Sequence, residues 1–161
     1  MKFYSAVKLE HHQYGFWLLE FLISCLIISA LYAVAIPFYQ TYMLRAKVVE
    51  GIALTGGMKL SIAEYYSYYG HFPADTDQVD NIVTSGSYVE NITINNGAVL
   101  IQFPDMNGKG SSFSVRPALA ENDLPKVIKW YCGYAQAPAH FVIQGKNRTD
   151  MSSQYLVSTC R

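Results

Sequence analysis

The chain has 161 residues, with 12 basic and 12 acidic side chains that cancel and a hydrophobic share of 51%. That length suits one domain of ordinary size plus an anchor, and zero net charge excludes a protein that coats nucleic acid through a general positive field. The balance is uneven along the chain. From Leu60 to Asp123 the acids Glu64, Asp75, Asp77, Asp80, Glu90, Asp105, Glu121 and Asp123 face only Lys109 and Arg116, whereas from Leu124 onward Lys126, Lys129, Lys146, Arg148 and Arg161 face only Asp150.

At the amino terminus, MKFYSAVKLEHHQYG carries Lys2 and Lys8 against Glu10. Phe21 to Tyr39 then holds no charge, and with Phe16 to Leu19 it is long enough to cross a hydrocarbon core of about 30 Å at about 1.5 Å per helical residue. The positive-inside rule holds the lysine end in the cytoplasm and sends the remainder outward. A secretory signal cut near Ala33 to Ala35 is the alternative. Two features oppose it. Glu20 sits near the start of the apolar core, where an unpaired charge costs several kcal/mol, and the helical pattern continues past the supposed cut. Residues 40 to 69 place Met43, Ala46, Val49, Ala53, Gly56 or Gly57, Leu60 and Ala63 at spacings of three and four, the stripe of an amphipathic helix. A continuous helix from Phe16 to Tyr69 would reach about 80 Å, with a kink expected at Pro37, which lacks a backbone N–H.

After Tyr69, GHFPADTDQVDNIVTSGS reads as a connecting loop. Strand-like runs follow at 88–94, 98–103, 112–119 and 126–134, separated by the hairpin turn NNG at 95–97 and by the longer turn PDMNGKGSS. The expected architecture is α+β: a long amino-terminal helix whose outer half packs on a four-stranded antiparallel sheet. Of the three cysteines, Cys25 lies in the apolar run and reads as a small apolar helix residue. Cys132 and Cys160 form an even pair outside the membrane, implying a disulfide in an oxidising compartment, against the alternative of two buried thiols.

Other chemistry finds little footing. MNGKGSS lacks the spacing of a phosphate loop, and His11, His12, His71 and His140 have no metal spacing with one another or with the cysteines. No nucleophile motif is present, and Asp75, Asp77 and Asp80 read as a solvated loop without the calcium-loop pattern. The expectation is a non-enzyme with no cofactor and no metal. Asn91-Ile-Thr and Asn147-Arg-Thr match the glycosylation sequon, a pattern frequent by chance.

The stretch GFWLLEFLISCLIISALYAVAIPFYQTYMLRAKVVEGI resembles the amino terminus of type IV pilins: Gly15, Phe16, Glu20 as fifth residue from Phe16, a long apolar helix, then Ala35, Ile36, Pro37, Phe38 and Tyr39. Trp17 stands where that family commonly has threonine, and Tyr14 where a basic residue commonly precedes the glycine. The resemblance extends through GSYVENITINNGAVLIQF, IKWYCG and the closing SSQYLVSTCR. It implies a leader of residues 1–15, an apolar membrane and filament-core helix of 16–43 and a globular domain of 44–161. It further implies cleavage between Gly15 and Phe16 by a prepilin peptidase, methylation of the Phe16 amine, and an assembly role for Glu20 and Pro37. Cys132 and Cys160 would join and close a carboxy-terminal loop, worth roughly 3 to 4 kcal/mol in the chain-entropy model.

Implied partners are further copies and other pilins, the peptidase and assembly machinery, and the inner membrane before export to an extracellular pilus serving adhesion, twitching motility or DNA uptake. The alternative is a minor pilin that binds DNA or a host surface through Lys126, Lys129, Lys146 and Arg148, interleaved with Trp130, Tyr131, Tyr134, Phe141 and Tyr155, since cations attract phosphate and aromatic rings stack on bases. A secretion-system pseudopilin shares the amino terminus.

Overall fold

A computed structural model of the chain describes residues 11–80, 82–104, 112–121 and 127–161. The chain divides into two compact units, one ending at Gln40 and the other comprising Thr41–Arg161. Helix α1 (His11–Tyr69) supplies all the described residues of the first unit and the beginning of the second, and contains Pro37. Within the apolar half, Ser24 Oγ donates to the Glu20 carbonyl at 2.9 Å and Ser29 Oγ to that of Cys25 at 2.8 Å. This back-bonding satisfies both hydroxyls without help from water. The helix ends where Gly70, at φ +74°, donates its N–H to the Tyr66 carbonyl at 2.9 Å. That single bond is the left-handed glycine cap, and Pro73 follows to prevent the helix from resuming.

In the second unit, α1 buries Leu44, Val48, Gly51, Thr55, Met58 and Ile62, spaced by three and four. This corrects the phase of the stripe read from sequence. Val49 and Leu60 are 50% and 64% exposed, and Ala46, Ala53, Gly56 and Gly57 are exposed with them. The outer half of the helix is apolar on two faces, and the face carrying the larger side chains Leu44, Val48, Met58 and Ile62 is the one that meets the sheet. Thr55 is tolerated there because its hydroxyl donates to the Ile52 carbonyl at 2.7 Å. Gly51 completes the buried row: a Cβ built on it would stand 2.8 Å from Phe103 Cζ and 3.1 Å from Ile101 Cγ2.

The sheet comprises β1 (Asn91–Asn95), β2 (Ala98–Gln102), β3 (Ser112–Ala120) and β4 (Ile128–Cys132) in that order, with β5 (Phe141–Ile143) also pairing with β3. Every pairing is antiparallel. β1 and β2 meet Asn95 to Ala98 through Asn96 and Gly97, both at positive φ (+48° and +79°), the primed turn that matches strand twist. The turn is tied back by Asn96 N–H to the Ala74 carbonyl and Gly97 N–H to the Pro73 carbonyl, at 2.9 and 2.8 Å. Alternation puts Ile92, Ile94, Val99, Ile101, Phe113 and Val115 on one face, in one core with the buried residues of α1. A smaller cluster of Ala118, Ala120 and Phe141, with Tyr131 and Ile143, covers part of the opposite face.

The fifth strand was not expected from the sequence. β3 changes partner along one edge, pairing with β2 over Ser112–Val115 and with β5 over Ala118–Ala120. Pro117 falls between those two ladders. Its carbonyl accepts from Gln144 N–H at 2.8 Å, so its backbone faces that edge and its missing N–H lies where the β5 ladder ends. A proline is thereby accommodated inside a central strand that would otherwise exclude it.

Candidate functional site

Two features of the chain carry functional information: the exposed apolar half of α1, and the closing segment stapled onto the sheet. In the first, Phe16, Leu26, Leu31 and Phe38 are 71%, 68%, 67% and 73% exposed. Mean hydropathy reaches 2.4 in this half, with none of that stretch buried in the fold. A helix apolar on all sides, with its side chains in the open, is stable only in lipid or against other protein. Among the described residues, and apart from its chain neighbours and its own helix backbone, Gly15 has no atom within 4 Å of where a side chain would start. Phe16 follows it, and Trp17, one turn before Phe21, stacks on that ring with centroids 6.3 Å apart and planes 17° apart. Trp17 therefore packs along the helix against its neighbour one turn on. The Glu20 carboxylate is exposed, and among the described residues nothing pairs with it. It is the only ionisable carboxylate between Phe16 and Tyr42.

The closing segment is held at both ends. Cys132 at the end of β4 is bonded to Cys160, and Tyr134 N–H donates to the Cys160 carbonyl at 2.9 Å. Gly133 between them, at φ +58°, packs so closely on that carbonyl that a side chain there would collide with it and with Leu156 Cδ1. Arg45 Nε on α1 donates to the Gln154 carbonyl at 3.1 Å, and Met151, Leu156 and Cys160 are wholly buried. Asn147 Nδ2 donates to the Gly133 carbonyl at 2.9 Å, while its Oδ1 accepts from Thr149 Oγ1 at 2.7 Å. The second sequon is thus explained by an amide that closes a turn. Arg116 Nη2 also donates to the Gly133 carbonyl, at 3.3 Å, while its Nε is buried with no hydrogen-bond partner. Desolvation lowers the pKa of this guanidinium from its ordinary value.

The cations proposed from sequence as a partner surface are placed differently from one another. Lys126 lies outside the described residues. Lys129 Nζ sits 4.4 Å from the centroid of the Phe141 ring. Trp130, next along β4, turns to the other side of the sheet, where Lys59 Nζ lies 5.8 Å from its ring. Lys146 and Arg148 have exposed side chains, although the Arg148 backbone is engaged at both groups, with Ser114 Oγ and Ser112 Oγ. Among the described residues no group of three or more histidine, cysteine or acidic side chains could hold a metal ion.

An exposed apolar anchor helix, running into an α+β unit closed by a disulfide at the carboxy terminus, defines a class: the membrane-anchored subunits that build bacterial surface filaments. The comparisons place the chain within it. Residues 44–161 match the family model for pilin, the bacterial filament protein, and the chain belongs to that family. It is 35% identical over 162 residues to the type IV major pilin protein PilE1 of Neisseria gonorrhoeae, covering 92% of this chain and 87% of that protein. It is 32% identical to a fimbrial protein of Neisseria meningitidis serogroup B, covering 92% and 94%. A shorter match, 39% identical over 87 residues, is to the fimbrial protein EcpC of Eikenella corrodens. The chain is a type IV pilin structural subunit.

Proposed function

We propose that the chain is made as a precursor anchored in the bacterial inner membrane by residues 16–43, with residues 44–161 on the periplasmic side. A prepilin peptidase removes residues 1–15 between Gly15 and Phe16, and the freed Phe16 amine is methylated. Subunits then leave the membrane and polymerise into an extracellular pilus that serves adhesion, twitching motility or DNA uptake. The observation that carries this reading is the exposed apolar half of α1 with its single carboxylate. In hydrocarbon Glu20 needs a cation. Cleavage creates one four residues away, and pairing Glu20 with the Phe16 amine of a neighbouring subunit neutralises both and sets their axial register. The second exposed apolar face of α1, with Val49, Ala53 and Leu60, supplies further surface for a second copy.

The test is Glu20→Leu. The precursor should reach the membrane and be cut at the ordinary rate, while sheared surface filament falls by at least about tenfold, as the loss of a neutralising pair in a low dielectric implies. Filaments at the ordinary yield from this variant would refute the assembly role. Uncut precursor would move the role of Glu20 to processing.

A further inference from the structure

The carboxy-terminal end of α1 and the segment that follows it enclose a cleft of about 300 Å³, lined among others by Glu64, Tyr65, Tyr68, Tyr69, Gln78 and Asp80. Its chemistry is one-sided. Three tyrosine rings and two carboxylates face it, and no lysine or arginine occurs anywhere from Leu60 to Gly108. The rings are ordered by their neighbours. Tyr65 and Tyr69 lie 4.5 Å apart between centroids, and His71 backs both, at 5.6 and 6.2 Å. The Tyr65 hydroxyl donates to Gln78 Oε1 at 3.5 Å, and the same oxygen takes the Ala74 N–H at 2.7 Å. Tyr68 is 85% exposed, so its ring forms a wall that contributes little to the core. The fold gains nothing evident from placing so much aromatic surface in water beside two acids.

We propose that this cleft binds an alkylammonium cation, with the tyrosine faces against the alkyl groups next to the nitrogen and Glu64 and Asp80 supplying the compensating charge. Ring faces attract a cation through their quadrupole, most effectively when it is weakly hydrated. A quaternary ammonium should therefore be preferred to a primary one, whose compact, strongly hydrated head loses more on leaving water. Aliphatic carbons and a positive charge are both required; an anion finds no cationic donor among the lining residues.

The full chain in maltoside micelles can be titrated with tetramethylammonium chloride, following saturation transfer from tyrosine ring protons to the N-methyl groups. Saturable transfer is expected, with tert-butanol, a neutral analogue of similar shape, bound at least about tenfold more weakly, and n-butylammonium weaker than tetramethylammonium. The double variant Glu64→Gln, Asp80→Asn should weaken binding about tenfold, and Tyr68→Ala about threefold, as loss of one exposed cation–ring contact implies. Both variants alter exposed side chains and should keep the thermal transition of the parent. Equal affinity for tert-butanol, n-butylammonium bound more tightly than tetramethylammonium, unchanged affinity in either variant, or no saturable transfer would each overturn the proposal.

Discussion

Two glycines in the same helix should answer oppositely to the same substitution. Gly51 and Gly56 both lie in the sheet-facing half of α1, and alanine at a helix interior position is worth about 0.8 to 1 kcal/mol over glycine. At Gly56 nothing lies within 4 Å of the added carbon, so Gly56→Ala should realise that gain. At Gly51 the added carbon meets Phe103 Cζ at 2.8 Å and Ile101 Cγ2 at 3.1 Å. Phe103 is 2% exposed and stacked on Phe113 with centroids 5.9 Å apart, so its ring has nowhere to retreat. Overpacking of this kind costs about 1 to 3 kcal/mol, which turns Gly51→Ala into a net loss of about 1 kcal/mol. The two variants should differ by about 2 kcal/mol, roughly 6 to 10 °C in Tm for a domain near this size. Near-ultraviolet circular dichroism of the full chain in maltoside micelles reads that difference. A Tm for Gly51→Ala at or above that of Gly56→Ala would refute the close approach of helix to sheet.

Other positions give sharp outcomes. Gly133→Ala combines a left-handed φ with a collision on the Cys160 carbonyl, and should cost at least about 2 kcal/mol. A denaturation midpoint equal to that of the parent would contradict the packing. Pro117→Thr adds an N–H at the end of the β5 ladder and should stay within about 0.5 kcal/mol of the parent, whereas Ala118→Pro removes a donor from the bonded pair with Lys129 and should cost about 3 kcal/mol or more. Comparable denaturant midpoints for the two proline-position variants would undo the assignment of the partner switch.

Much of this architecture was legible in the sequence because its signals are local. The apolar run, the Asn-Gly turn and the alternation of Ile92 with Ile94 and of Val99 with Ile101 each fix an element from a few neighbouring residues. The two cysteines downstream of the apolar run pointed to their bond. The misplaced stripe has a different origin. Residues 43 to 63 offer two rows of apolar side chains at helical spacing, and periodicity alone does not say which row meets the sheet. The buried row was marked by bulk and by Gly51, whose small size makes sense only beside a facing aromatic ring. β5 escaped because three residues carry no period, and because its pairing depends on β3 exchanging partners around Pro117, a long-range event. For the functional site, Gly15, Phe16 and Glu20 were readable as a spacing. The Trp17–Phe21 stack was readable only as an i, i+4 pair, and the engagement of Lys129 and Trp130 by Phe141 and Lys59 depends on contacts between distant elements.

The central claim is that the apolar half of α1 is kept and assembled after the chain is cut before Phe16. Intact-mass and peptide mass spectrometry of filaments sheared from the cell surface tests it in one measurement. The account predicts a filament-borne chain beginning at Phe16, carrying one methyl group on that amine and the Cys132–Cys160 bond. A surface chain beginning after Ala35, with the apolar helix removed, would contradict it.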